Sequence, residues 1–558
     1  MRVRSSKNGI TVKAYAGTTG ILLAFNRDIK KPEKDFLGFS IERIGPSGDK
    51  EWIGGMLPFA HMNDHEAGTL IPSNIAPLQK FRWSDYSVNP DTAYTYIVYA
   101  AQGDPKSPNL LRGPTIKVKT ASISGGKHRI LFNRAAAASQ AFSRKFRTIS
   151  DKLDKAKKGK KSQVAFSPEA WVWLSRGVKE AIIEQIEKAK DQNWNLDIAI
   201  YEYEQQDIVD AVDAAYARGA NVRIIYHAKN GDSQTAQNEK NLKKLSLKVK
   251  RRRVTSSIFH DKYIVLSKNK NGKKVLDSVL TGSTNFTDNG VYRQANVVHI
   301  TTDSDIATAY QIHFDELWTE LGNGQGVAET RAFINNDNPI EEKPGVFVGF
   351  SPRSGFGDIA EFVNKIGGAE SDVLFCTAFN LHKDVQCALE GEAHDPILRF
   401  GVQNKASSIT GYHADKTAQF VAANYLKSGL DGFLKESLEG TGVGSILIHT
   451  KIVIVDFTSE QPVVISGSHN LSGAASSSND ENFMIIAGDT DIADSYGVEI
   501  LRIYDHYRFR YWSQKLNSRS VLGAEQPRRM LLKPNGSWAK KYFMKGTLAF
   551  ADRVRFSG

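Results

Sequence analysis

One pattern occurs twice along this chain and constrains its fold more than any other feature. His260-Asp261-Lys262 is followed by Gly282-Ser283-Thr284-Asn285, and His449-Thr450-Lys451 by Gly467-Ser468-His469-Asn470. With 13 histidines, a lone His-x-Lys is expected about once by chance. His227-Ala228-Lys229 has no Gly-Ser-x-Asn behind it and reads as that chance match. Two Gly-Ser-x-Asn runs, each trailing its own His-x-Lys, are not a coincidence. The surroundings repeat as well. Phe166-Ser167-Pro168 and Phe350-Ser351-Pro352 each precede a helical pattern, Val178, Ile182, Ile183 and Ile186 in one copy and Ile359, Phe362, Val363 and Ile366 in the other. Apolar strands follow at 196–203 and 371–379, then at 221–227 and 396–402. Each copy closes on a helix with an aromatic cluster, near Phe314–Trp318 and Tyr507–Trp512. Strands alternating with helices predict an α/β sheet covered on both faces. A repeat this long is a duplicated domain, hence an internal pseudo-dimer, and not a solenoid.

The copies span 164–325 and 344–524, joined by a Gly-, Asn- and Glu-rich connection at 322–344. Residues 1–122 alternate short apolar runs with turn formers and predict a small all-β sandwich. Its run Ala93–Ala100 resembles the late strand of a fibronectin type III domain with its corner tyrosine. Such a domain is expected to mediate protein contacts. Residues 123–163 read as a basic linker or helix, with cations at Arg144–Arg147 and Lys155–Lys161, and 525–558 as a basic tail. No stretch reaches 18 apolar residues, so no spanning helix is expected. The basic N-terminus lacks an apolar run behind it, which argues against a secretory signal. Cys376 and Cys387 are the only cysteines; the chain is not a disulfide scaffold, and a cytoplasmic location is expected.

The doubled pattern resembles the phospholipase D superfamily, whose signature is H-x-K-x4-D with a downstream G-S-x-N. The second copy is complete, with Asp456 in the motif and Glu481 at the position of a carboxylate that supports a histidine. The first departs: Ser267 stands in place of the Asp, and aligning Asn296 with Asn482 puts Ala295 opposite Glu481. The resemblance implies two phospholipase D-like α/β/α sandwich domains and a phosphodiesterase working through a phosphohistidine, with His260 the nucleophile and His449 the general acid and base; the intact support around the second motif argues for the reverse assignment. Glu481 is expected to fix the ring of His449. The resemblance also implies that the motif Asp is mainly structural, so Ser267 need not abolish activity.

The residue types suit that chemistry. Side chains two apart on a strand share a face, so each His projects with its Lys. Packed about a pseudo-twofold axis, His260, Lys262, His449 and Lys451 converge. Two ammonium groups and the amides of Asn285 and Asn470 then stabilise the charge that grows on a phosphoryl transition state. The hydroxyls of Ser283 and Ser468 can donate to phosphate or to backbone. Lys supplies the charge and His the proton transfer, so neither metal nor cofactor is required. His61 and His65 have the spacing of a metal pair but no third ligand nearby.

For the substrate, the residues favour nucleic acid. Net charge is +12, and Lys240, Lys243, Lys244, Lys248, Lys250, Arg251, Arg252 and Arg253 crowd the segment before His260. Lys248 to Arg253 are the expected backbone-phosphate contacts. Phospholipid is the alternative, with 414–437 as the nearest candidate for a lipid-facing cover. A catalytically degenerate binding protein is the third reading.

Overall fold

In the computed structural model, the described residues are 2–62, 65, 69–135, 139–158, 165–254, 257–323, 328–341, 344–392, 395–405, 408–413, 417–420, 447–520 and 530–558. Most of the 414–437 segment and residues 159–161 of the basic run therefore lie outside them.

The N-terminal region is a sandwich of two four-stranded sheets. One carries Arg2–Lys7, Ile10–Ala16, Ile21–Arg27 and Arg82–Asp85 in that order; the other runs Ser107–Lys119, Ala93–Asp104, Phe36–Ile44, Lys50–Trp52. Alternate side chains of Ile10–Ala16 and Ala93–Asp104 point inward, so Ile10, Val12, Tyr96 and Val98 are fully buried. The Tyr94 hydroxyl accepts a hydrogen bond from the backbone N–H of Asn89, 2.9 Å away.

The two repeats are seven- and eight-stranded mixed sheets of matching order. The first runs His128–Phe132, Val297–Thr301, Lys273–Gly282, Lys262–Lys270, Trp194–Ile200, Asn221–His227, Lys250–Arg253. The second runs Gly345–Ser351, Glu481–Ala487, Val463–Gly467, Ile452–Val455, Asp372–Thr377, Leu398–Lys405, Ser408–His413, Thr417–Phe420. In each, the strand before the crossover helix is parallel to the one after it and antiparallel to the lysine-bearing strand.

Two expectations about the flanks need correction. The stretch read as a linker contains the edge strand His128–Phe132, which pairs with Val297–Thr301 and belongs to the first repeat. The basic helices Ser139–Lys145 and Arg147–Lys158 are an insertion after that strand. The C-terminal segment is no loose tail: Gly536–Phe543 and Leu548–Ser557 are helical. Trp538, Ala539 and Tyr542 complete the sandwich core, and the Trp538 indole donates to the Phe36 carbonyl at 3.0 Å.

One apolar core runs through all three parts. It joins Tyr15 and Leu22 of the sandwich, Tyr263 and Phe314 of the first repeat, and Phe350, Tyr496 and Tyr504 of the second. The long helices Ser304–Asn323 and Thr490–Ser520 supply much of it. Burial on this scale fixes the repeats against one another, as a site built from both requires.

Candidate active site

The two repeats cross at a pair of short parallel bridges, Phe259 with Asp480 and Ala295 with Ile448. The backbone N–H of His260 donates to the Asp480 carbonyl (2.9 Å) and that of His449 to the Ala295 carbonyl (3.0 Å). Each histidine is thus pinned to the other repeat. The ring centroids of His260 and His449 lie 6.4 Å apart at 70°. Both histidines lie just before the strand that begins at or beside their lysine. Each lysine ammonium bonds its own histidine's carbonyl, Lys262 to His260 at 2.7 Å and Lys451 to His449 at 2.6 Å.

Each Gly-Ser-x-Asn has a mechanical reason. A Cβ at Gly282 would strike the Val297 carbonyl, and one at Gly467 the Asn482 carbonyl; only glycine permits this approach. The approach lets the Ser283 N–H donate to Val297 and the Ser468 N–H to Asn482. The serine hydroxyls then orient the groups behind the rings. Ser283 donates to Asn296 Oδ1 and Ser468 to Glu481 Oε2, both at 2.8 Å. The Ser468 hydroxyl also reaches the Asn482 carbonyl at 3.4 Å.

Here the structure corrects the expected support. Glu481 lies 2.7 Å from Nδ1 of His260, not of His449. His449 Nδ1 instead faces two neutral acceptors, Asn296 Oδ1 at 3.0 Å and the Ser283 carbonyl at 3.1 Å. Asn296, not Ala295, is the counterpart of Glu481: each lies 13 residues beyond its motif serine, whereas Ala295 matches Asp480 at the bridges. The one-residue slip came from matching Asn with Asn. Counting from the serines would have found Asn296. Its amide is held the right way round, because Nδ2 donates to the Gly290 carbonyl at 3.0 Å.

Both rings are held through Nδ1, which leaves Nε2 for a substrate. Burial pulls the pKa of His260 down to about 4, helped by Lys262 and Lys451 and opposed by Glu481. Burial also drives His449 well below its usual value, with Lys451, Lys262 and His260 adding to the effect. Desolvation lowers Lys262 to about 8 and Lys451 well below the lysine range, where Lys262 adds repulsion. For Glu481, burial raises the pKa, but His260 and Lys262 outweigh it and hold the group ionised. Lys262 and Lys451 repel each other across the pocket, and an anion between them relieves that repulsion.

Tyr201 and Phe379 wall the pocket, with ring centroids 5.2 Å from His260 and 5.8 Å from His449, and with Lys262 and Lys451 over their faces. The Asn285 amide donates to Glu202, a pocket residue the sequence reading did not single out. The Oδ1 atoms of Asn285 and Asn470 are buried without a hydrogen-bond partner.

Other expected residues fall elsewhere. Asp456 accepts from the backbone of Glu370 (3.0 Å) and Ser371 (2.6 Å), fastening the turn before a strand; Ser267 accepts from Asn195 at 3.2 Å in the equivalent strand. His469 locks its own turn, between Asp358 and the Leu471 N–H. His227 bonds Asp232 and the Phe259 N–H, bracing the approach to His260. His61 stacks on Phe59, and His65 bonds the Thr69 hydroxyl.

The basic run is largely committed within the protein. Arg253, 1% exposed, is no surface contact: it forms a bidentate pair with Asp480 (2.8 and 3.1 Å) and bonds Glu320 at 2.8 Å. Arg251 lies over the Trp318 ring, Arg252 pairs with Glu239, Lys244 with Asp213, and Lys250 donates to the Leu242 carbonyl. Lys248 is exposed.

Residues 182–318 match the family described as cardiolipin synthase, PLD-like domain. The chain is 26% identical over 157 residues to the mitochondrial cardiolipin hydrolase of Drosophila melanogaster, a match covering 26% of this chain and 60% of that protein. Phosphatidylserine synthase of Haemophilus influenzae superposes with a TM-score of 0.41 at 13% identity, over 61% of this chain and 87% of that one. Nuc, a phospholipase D family member from Salmonella typhimurium, gives 0.21 at 22% identity, over 25% and 86%. The family match over 182–318 and the paired motifs support a place in the phospholipase D superfamily.

Proposed function

We propose that this protein is a phosphodiesterase acting on phospholipids through a phosphohistidine. The observation that carries the reading is the pair of His-x-Lys/Gly-Ser-x-Asn sets facing each other with ring centroids 6.4 Å apart. Nε2 of His260 attacks phosphorus as His449, protonated once the substrate anion offsets the charge of Lys451 and Lys262, gives its proton to the leaving oxygen. His449 then takes a proton from water, the hydroxide attacks phosphorus, and His260 leaves. Lys262, Lys451, Asn285 and Asn470 hold the non-bridging oxygens. The Glu481 carboxylate favours His260 as nucleophile, since it stabilises the positive charge that a phosphorylated imidazole carries. The neutral acceptors behind His449 leave its imidazolium a strong acid, suited to the leaving oxygen.

Phospholipid is favoured over nucleic acid on two grounds. The family match and the Drosophila relative are both described by cardiolipin chemistry, and of the expected phosphate contacts Lys248 to Arg253, Arg253 is buried in a pair with Asp480, Arg251 lies over the Trp318 ring and Lys250 donates to the Leu242 carbonyl. The test is parallel incubation with cardiolipin vesicles, phosphatidylcholine vesicles, single- and double-stranded DNA, and RNA, with His449→Ala as the blank. Release from phospholipid without nucleic acid cleavage is expected. Cleavage of DNA or RNA with both lipids untouched overturns the choice of substrate.

A further inference from the structure

A pocket that binds an anion has no evident use for a second carboxylate. Glu481 is accounted for by His260, but Glu202 is not. It sits just past the end of the strand Trp194–Ile200, in the electrostatic reach of both Lys262 and Lys451, and takes a hydrogen bond from Asn285, one of the amides aimed at the phosphate. The second repeat has no acid to match. Ile200 lies opposite Lys262, and Cys376 opposite Ile452, so residue 377 stands opposite Lys451. Two residues on, the first repeat has Glu202 and the second Phe379.

We propose that Glu202 is a specificity residue that makes the pocket prefer phosphodiesters to phosphomonoesters. The inference rests on the phosphodiesterase reading and deepens it. The side chains nearest the phosphate are two lysines and two carboxylates, Lys262 and Lys451 with Glu481 and Glu202; burial lowers both lysines and raises Glu202, and the lysines and the Asn285 amide oppose that rise. A diester brings one negative charge. Hydrolysis leaves a monoester, which carries nearly two near neutral pH because its second pKa lies near 6. The second charge meets the Glu202 carboxylate at the position where Asn285 would otherwise grip the phosphate alone. Two unit charges about 5 Å apart in a partly solvated pocket repel enough to change affinity by roughly ten- to a hundredfold. Glu202 therefore holds down product affinity while tolerating the substrate. The other charged and polar groups facing it are Glu204, which repels it, and Tyr201 beside it; Lys262, Asn285 and Lys451 favour its ionised form against burial.

The experiment needs no turnover. Methyl phosphate and dimethyl phosphate are titrated separately into the full chain, with binding followed by phosphorus NMR at about pH 8 and pH 5. Glu202→Gln keeps an amide oxygen for Asn285 and removes only the charge. The expected result is a methyl phosphate affinity at pH 8 that rises by about ten- to a hundredfold in Glu202→Gln, with a smaller rise for dimethyl phosphate. At pH 5, where the monoester is largely a monoanion, the gap between the two ligands narrows. Glu202→Asp should restore part of the discrimination. If Glu202→Gln leaves the ratio of the two affinities unchanged while dimethyl phosphate binds, Glu202 only positions Asn285 and the inference fails alone. If neither ester binds the native chain or the variant, the anion pocket itself is misread and the inference falls with it.

Discussion

Replacing Glu481 by Gln tests the division of labour between the two histidines. The carboxylate is fully buried, 2.7 Å from His260 Nδ1, and also held by Ser468 (2.8 Å) and Asn479 (3.2 Å). Gln preserves the shape and an acceptor for His260 but deletes the charge. A hydrogen bond to a charged group contributes about 1.5–3 kcal/mol. The Coulomb attraction between unit charges about 4 Å apart at an effective dielectric near 20 is about 4 kcal/mol, which sets the upper end. At about 1.4 kcal/mol per tenfold in rate, formation of the phosphohistidine should slow by between about tenfold and several hundredfold. Because the charge forms on His260 whatever departs, the loss should be similar for a p-nitrophenyl diester and an alkyl diester. Asn296→Asp provides the opposite perturbation. A carboxylate behind His449 makes its imidazolium a weaker acid, so the penalty should be greater for the alkyl leaving group than for p-nitrophenolate. Single-turnover rapid quench with both esters reads each rate. A Glu481→Gln rate within about twofold of native, or a leaving-group dependence that appears in Glu481→Gln and not in Asn296→Asp, would refute the assignment.

Activity should survive EDTA, because the charge and proton transfer are supplied by Lys and His side chains; loss in chelator restored by a divalent ion would contradict this. Ser267→Asp should leave turnover within a few-fold, since Asp456 in the complete motif fastens backbone and does not face the histidines; a large change would give this position a chemical role. Arg253→Met should lower stability by about 3–5 kcal/mol in a denaturant titration, because it leaves Asp480 and Glu320 buried without their cation; an unchanged midpoint would show that the inter-repeat pair contributes nothing. Stability should also fall as pH drops from about 6.5 towards 4. Burial depresses His260 to about 4, His299 and His313 to about 3, and His449 and His506 well below normal. The unfolded chain therefore takes up protons that the folded one refuses, and that difference grows through this window. A midpoint constant between pH 7 and pH 4.5 would contradict it.

The paired motifs and the strand–helix alternation were readable because burial imposes a period on apolar residues and because a phosphate pocket uses few residue types. The strand Asn221–His227 was placed to the residue. What escaped depends on contacts between segments far apart in the chain. Glu481 pairs across the pseudo-twofold with a histidine 221 residues away, so its partner could not be inferred from the nearer motif. Arg253 looked like part of a surface run because sequence does not reveal that Asp480, 227 residues on, is its counter-ion. The C-terminal helices read as a basic tail since their apolar face, Trp538, Ala539 and Tyr542, finds its partner only in the N-terminal sandwich. The first strand of the first repeat was hidden by the basic insertion that separates it from the helix it normally precedes. Glu202 was passed over because a carboxylate beside a phosphate runs against simple charge matching.

In the proposed mechanism, one site shared by both repeats bonds a histidine of the first repeat covalently to phosphorus. Peptide mass spectrometry after rapid alkaline denaturation of His449→Ala mixed with a p-nitrophenyl phosphodiester tests it most directly. This variant lacks the group that activates water, while p-nitrophenolate departs without needing its proton, so the intermediate should accumulate. A phosphoryl adduct is expected on the peptide carrying His260, with none in His260→Ala. An adduct confined to another residue, or undiminished turnover by His260→Ala with no adduct anywhere, would contradict it.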